Sequence, residues 1–403
     1  MSRRATELSV SLGRTPVGTL RLLKDERSEF LLLDSYKDLP ERPVLSQFFE
    51  DDLSQRYVSR MRLTPFFSNL LPEGALRSLL ASKANVHPER EFFLIQELEE
   101  DLPGAIMIAP LGDDLEPGPL LVESEKASGL EYGLRFSLAG VQLKFSMIPS
   151  GRGLTLPMRG EDGQYWIAKL PDSRFPGVPE NEYTVMQWAK AAGIDVPETR
   201  LYDVADLRNL PSEVQGLVGK AFAVRRFDRN DSKRIHIEDF AQVLGRYAHQ
   251  KYDGASYENI AQLLYSLDGE RALREFIRRL VFIGLVGNAD AHLKNWSLIY
   301  RNGQTAELSP AYDLVSVVAF LADQELGLSI GGSKKFSKMS INSFRGLAKS
   351  IPVDEDLIAK AVLEARDRTL DVLASAAQPD DARVLVRRLQ KDHLPQMPLF
   401  HGK

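Results

Sequence analysis

The chain has 403 residues, no cysteine, and 51 basic against 56 acidic side chains, a formal net charge of -5. That length points to two or three compact units with a sizeable core. Missing cysteine excludes disulfides, thiolate zinc sites and cysteine nucleophiles, and the acidic balance argues against a free-standing nucleic-acid binder.

The N-terminal stretch MSRRATELSVSLG carries basic residues with no apolar segment after them, and the apolar run Leu280 to Val286 is far shorter than the roughly 20 residues a membrane helix needs. A cytoplasmic chain without a membrane partner is expected. Leu8, Val10 and Leu12 alternate with polar residues, Gly13 to Gly18 carries turn chemistry, and Leu20 to Leu23 and Phe30 to Leu33 continue a small antiparallel sheet. From about Leu53 to Glu100 the pattern is helical, with Phe92, Phe93, Ile95 and Leu98 on one face; Gly104 to Pro110 reads as a strand and Asp113 to Gly118 as a linker.

A second unit begins near Tyr132. Arg135 to Met147 reads as two strands around Gly140, Gln164 to Leu170 as a third, and Phe222 to Phe227 as another. Between them Asn181 is a plausible cap for a helix carrying Val185, Trp188, Ala189 and Ala192, ending at Gly193. From Glu238 helices dominate: Glu238 to Ala248, Tyr257 to Leu267, Glu270 to Val286, Asp354 to Ala376 and Asp380 to Lys391. Asn302-Gly303, flanked by Ser297 to Arg301 and Thr305 to Leu308, signals a β-hairpin. The expected organisation is α+β: a mixed N-terminal module over 1–115, a β-rich lobe with one helix over 116–235, and a helical lobe over 236–403.

The stretch Gly287-Asn-Ala-Asp-Ala-His-Leu-Lys-Asn295 crowds four reactive side chains behind an apolar helix. In the kinase pattern HRDxxxxN the catalytic Asp and the metal-binding Asn lie five positions apart, as do Asp290 and Asn295 here. Asp290 would accept a hydrogen bond from a substrate hydroxyl, Asn295 and the later Asp313 would offer oxygens to Mg²⁺, and Lys294 would steady charge on the γ-phosphate of ATP. Ile167-Ala-Lys169 resembles the VAIK lysine that meets the α and β phosphates, with Glu182 a weaker candidate for its carboxylate partner. The covering segment Ser137-Leu-Ala-Gly-Val-Gln-Leu-Lys144 fits neither GxGxxG nor GxxxxGK[ST]. Bland readings stand beside these: Asp290 as a helix-end residue, Lys169 as a snorkelling lysine, His292 as a structural or orienting ring, and the Arg271 to Arg279 and Lys334 to Lys338 clusters as solvated faces.

Together, the segments Phe66 to Pro72, Gly104 to Pro110, Ser137 to Lys144, Ile167 to Pro171, Arg226-Phe-Asp-Arg229, Glu238-Asp-Phe-Ala-Gln242, Gly287 to Asn295 and Ser309-Pro-Ala-Tyr-Asp313 resemble the HipA family of bacterial serine/threonine kinase toxins. The resemblance implies a two-lobed, protein-kinase-like fold that uses ATP and Mg²⁺. It implies Asp290 as the catalytic residue, with Lys294 a catalytic candidate from its place in the motif, and Asn295 and Asp313 as metal ligands. It places Ser137, Ala139, Gly140, Gln142, Lys144, Lys169, Arg226, Phe227, Gln242, His292 and Tyr312 around the nucleotide, and makes Ser137 an inactivating autophosphorylation site. It further implies an aminoacyl-tRNA synthetase as substrate, the glutamyl enzyme favoured, and a HipB-like helix-turn-helix antitoxin that carries the contact to operator DNA. Arg225 departs from the Glu the family often has there. Two other functions fit the residues alone: a metal-dependent phosphohydrolase built on Asp290, His292 and Asp313, and a catalytically silent co-repressor subunit.

Overall fold

The structure is a computed structural model that describes residues 3–98, 102–111, 115–117, 144–151, 153–155, 165–210, 214, 216–230, 233–375 and 380–402. The chain divides into two compact units: Met1–Leu143 with Ser232–Lys251 and Ile299–Thr305, and Lys144–Asp231 with Tyr252–Leu298 and Ala306–Lys403.

In the first unit an antiparallel sheet runs in the order Tyr57–Arg60, Arg27–Leu32, Thr15–Leu22, Glu7–Leu12, Ile106–Pro110. Leu8, Val10 and Leu12 are buried in alternation, as a half-buried strand requires. The turn is narrower than the sequence suggested. Gly13 takes it at φ 55°, whereas Gly18 lies inside a strand, where a Cβ would come within 2.6 Å of the Leu31 carbonyl and the Phe30 ring. The expected helical stretch after Leu53 is interrupted by the strand Tyr57–Arg60 before Pro65–Ser68, Gly74–Ala84 and Glu91–Leu98 form helices. Leu115–Pro117, expected as linker, pairs with Arg3–Ala5. Phe30, Phe49, Phe66 and Phe67 fill the core with edge-on rings, 4.7 Å apart for Phe30 and Phe67 and 5.2 Å for Phe49 and Phe66.

The helix expected from Glu238 is instead a strand, His236–Asp239, followed by the single turn Phe240–Val243. Asp239 stops the strand because its carboxylate and Gln242 close a capping box. Glu238 is buried and accepts hydrogen bonds from Ser46, the Gln47 N–H and Tyr300. Burial pushes its carboxyl up to about 7 against those hydrogen bonds. A raised folded-state pKa contributes stability that is complete below the unfolded value of 4.5 and lost as pH climbs through 7. Glu238→Gln, neutral throughout, should therefore gain on the parent by about 3 kcal/mol between pH 4.5 and 8, read from urea unfolding at fixed pH. An offset that does not change with pH would refute the assignment.

In the second unit a six-stranded sheet runs Thr199–Asp203, Lys220–Arg225, Trp166–Lys169, Lys144–Ser150, Gly153–Thr155, Leu207–Arg208. The expected strands at Gln164 to Leu170 and Phe222 to Phe227 are present as its paired inner strands Trp166–Lys169 and Lys220–Arg225. Helix Val178–Ala191 starts earlier than expected: Gly177 caps it at φ 83°, and Asn181 sits in the first turn, where its side chain accepts the Ser316 N–H at 2.8 Å. Val185, Trp188 and Ala189 are buried as the spacing required. The helices expected on either side of residues 268–269 are present as Tyr257–Leu285, broken by Asp268 at φ -145° and Gly269 at φ 59°. Glu355–Ala374, capped by Asp354, packs on it, and Asp380–Arg388 follows. Ser297–Tyr300 and Glu307–Leu308 are the strands of the expected hairpin. Of the two strands expected over Arg135 to Met147, the first and residues 141–143 of the second lie outside the described residues, while Lys144 to Met147 of the second lie in the strand Lys144–Ser150.

Candidate active site

The helix Tyr257–Leu285 ends in a run with no room to continue: Leu280, Val281 and Phe282 are fully buried, and Gly287 turns the chain at φ 67°. A Cβ on Gly287 would meet Val318 at 2.2 Å, so both conformation and space demand glycine. Asn288, fully buried, then uses both ends of its amide. Its oxygen accepts the Asp290 N–H at 3.0 Å and its nitrogen donates to the Asp313 carbonyl at 3.3 Å, tying the two acidic residues together through their backbones.

The Asp290 carbonyl accepts the His292 N–H at 2.8 Å and the Asn295 amide N–H at 2.8 Å. With the nitrogen of its amide donating to that carbonyl, the oxygen of the Asn295 side chain is the end that could meet a hard cation. Tyr257 donates to the Ala291 carbonyl at 2.8 Å, and Tyr252 donates to the Asp290 carboxylate itself.

Lys169, at the end of its strand, is buried and reaches two carboxylates. Its ammonium lies 2.5 Å from Glu182 and is also paired with Asp313. Glu182, the weaker candidate on sequence grounds, is thus in contact with the lysine because the helix Val178–Ala191 carries it there. Asp313 is at φ 55°, a left-handed conformation that Asp tolerates better than most residues. Burial alone would lower the Lys169 pKa, but Asp313 and Glu182 hold it above the lysine range. Of the two carboxyls, Glu182 is pushed up by burial, and also by Asp313. Asp313 is held down, despite burial, by Lys169 and then Lys144. The Asp313 side chain is 30% exposed against 4% for Glu182, so the ionised carboxylate is the accessible one.

Around this centre Phe227 and Tyr312 form an aromatic pair 5.7 Å apart, and the Tyr312 hydroxyl donates to the Lys294 carbonyl at 3.0 Å. Lys294 lies in the short turn Leu293–Asn295, and His292 is buried with its ring edge-on to Tyr252 at 5.0 Å. The buried Arg226 guanidinium grips Asp228 through two bonds of 2.9 and 2.7 Å and reaches Ser146 at 3.2 Å, so it braces its own lobe. Arg225 ends its strand, donating its N–H to the Glu198 carbonyl at 2.8 Å. Lys144 is exposed at the start of its strand. Gln242 belongs to the first unit, where its amide serves the capping box and donates to the Phe66 carbonyl at 2.9 Å. Ser137, Ala139, Gly140 and Gln142 lie outside the described residues.

Asn288 and Tyr252 were not singled out from sequence, although Asn288 sits inside the same motif. The donors available to a cation are an amide oxygen and a carboxylate, a set that fits Mg²⁺ sharing its remaining positions with phosphate oxygens and water. Among the described residues no group of three or more His, Asp or Glu gathers as a metal site, which leaves the hydrolase arrangement of Asp290, His292 and Asp313 without its cluster. No described helix is long and apolar enough to cross a membrane.

Residues 8–109 match the HipA N-terminal domain and residues 136–373 the HipA-like C-terminal domain. The Sinorhizobium fredii protein Y4dM is 40% identical over 408 residues, covering 96% of this chain and 99% of its own. The serine/threonine-protein kinase toxin HipA of Shewanella oneidensis is 27% identical over 319 residues, 70% of each chain. A chain of the solved Shewanella oneidensis complex of HipA, HipB and operator DNA superposes with a TM-score of 0.73 at 22% identity, covering 96% of both chains. That likeness establishes the two-lobed, kinase-like α+β fold.

Proposed function

The chain belongs to the HipA family, and from that premise we propose that it is an ATP- and Mg²⁺-dependent serine/threonine protein kinase, the toxin of a HipA/HipB-like module. The observation that carries this reading is the joining of Lys169, Glu182 and Asp313 on one side to Asn288, Asp290 and Asn295 on the other. Bound Mg-ATP would supply the phosphoryl group and neutralise its charge. Asp313 and Asn295 would hold the metal, Phe227 and Tyr312 would flank the base, and Lys169 would leave Asp313 for the phosphates. Asp290 would orient the attacking hydroxyl and take its proton, with Lys294 close by to offset charge.

The substrate we propose is an aminoacyl-tRNA synthetase, the glutamyl enzyme first, whose modification would arrest translation and growth and favour persistence. Ser137 would be the inactivating autophosphorylation site: a phosphoserine carrying about -1.5 to -2 charge is repelled by nucleotide phosphates. A HipB-like helix-turn-helix antitoxin would bind this chain in the cytoplasm and bring it to operator DNA; this rests on the solved complex of the Shewanella proteins. Purified chain incubated with Mg-ATP and the full set of synthetases should place phosphate on a serine or threonine of one of them. Labelling of none would remove that substrate class.

A further inference from the structure

Among the described residues, most of the contacts that hold the turn 288–295 act on its backbone: Asn288 on the Asp290 N–H, Asn295 on the Asp290 carbonyl, Tyr257 on the Ala291 carbonyl. Tyr252 differs, because its hydroxyl donates to the Asp290 carboxylate. Tyr252 is itself held from two sides. Lys334 donates to its carbonyl at 2.8 Å, and the buried His292 ring meets its ring at 5.0 Å and 77°.

An aspartate carboxyl rotates broadly about its last side-chain bond, so fixing the backbone alone does not fix which oxygen faces an acceptor. A hydroxyl bonded to one oxygen settles that rotation, and such a charge-assisted bond is stronger than a neutral one. We propose that Tyr252 is a positioning residue for phosphoryl transfer. Its bond to one Asp290 oxygen sets the rotation at which the carboxylate meets the substrate hydroxyl. This inference rests on the kinase reading above and adds to it a residue outside the 287–295 motif.

The test compares full-length parent, Tyr252→Phe and Asp290→Asn proteins for incorporation of γ-³²P from Mg-ATP into the chain itself. Both the maximal rate and the ATP concentration that gives half of it are measured, with thermal unfolding alongside. Tyr252→Phe should lower the maximal rate about 10- to 100-fold, the loss expected for a hydrogen bond to a charged group, while half-saturation and the unfolding midpoint stay near the parent's. An unchanged or higher rate would overturn the proposal, the latter indicating that the tyrosine blocks the acceptor's place. A rate that falls only together with ATP affinity or folding, including failure to fold, would show a structural role and overturn it as well. If the parent itself incorporates nothing, the kinase reading falls and takes this with it. If the parent is active and Asp290→Asn is not, while Tyr252→Phe matches the parent, only the positioning role falls.

Discussion

Asp290→Asn should reduce phosphoryl transfer by about 10²- to 10⁴-fold, the range a positioned general base contributes, and leave Mg-ATP binding and folding close to the parent's. Folding is spared for a specific reason. The neighbours that hold this turn bond to the backbone N–H and carbonyl of Asp290, which asparagine retains, and Tyr252 can still donate to the amide oxygen. The substitution removes a charge and a proton acceptor from a site whose shape is otherwise fixed. Rates with calorimetric ATP affinity and a thermal melt check all three expectations, and a variant with near-parental rate would displace Asp290 from its role.

Lys169→Met should act on chemistry and stability together. It removes the ammonium lying between Glu182 and Asp313, leaving the 4%-exposed Glu182 carboxylate with no counter-charge from that lysine. Breaking a buried pair in this way typically costs about 3–5 kcal/mol, but a carboxyl can escape by taking up a proton. Glu182 is already raised above its ordinary 4.5, and losing Lys169 raises it further. A raised folded-state pKa means stability lost as pH rises through it, so the variant's deficit should be small near pH 5 and grow toward pH 9. Urea midpoints across that range decide the matter, and a deficit equal at both ends would show that Lys169 contributes packing rather than charge. On the proposed reading phosphoryl transfer should fall at every pH, because the phosphates would lose the cation assigned to them.

The site was legible where its chemistry is written locally. The five-residue separation of Asp290 and Asn295, with Asp313 after a hairpin, needs no tertiary information, and the break at Asp268-Gly269 divides two helical patterns by composition alone. What escaped depends on distant partners. Tyr57–Arg60 is a four-residue strand with one buried side chain; it has no period to read and exists because Arg27–Leu32 offers an edge. Glu238 looked like the first residue of a helix, and only Ser46, Gln47 and Tyr300, brought from elsewhere in the chain, explain a buried acid there. Tyr252 lies 38 residues before the carboxylate it touches, a separation no motif records. Gln242 shows the converse: its place in a family segment suggested the nucleotide, while its amide is committed to the cap Asp239 and the Phe66 carbonyl.

On the proposed reading Lys169, Asp290, Asn295 and Asp313 form one phosphotransfer centre. Its most direct test is mass spectrometry of the purified chain after incubation with Mg-ATP, beside the Asp290→Asn variant. Phosphate on Ser137 of the parent and none on the variant is the predicted result. Inorganic phosphate released into solution with no protein labelled, or equal labelling of both proteins, would contradict it.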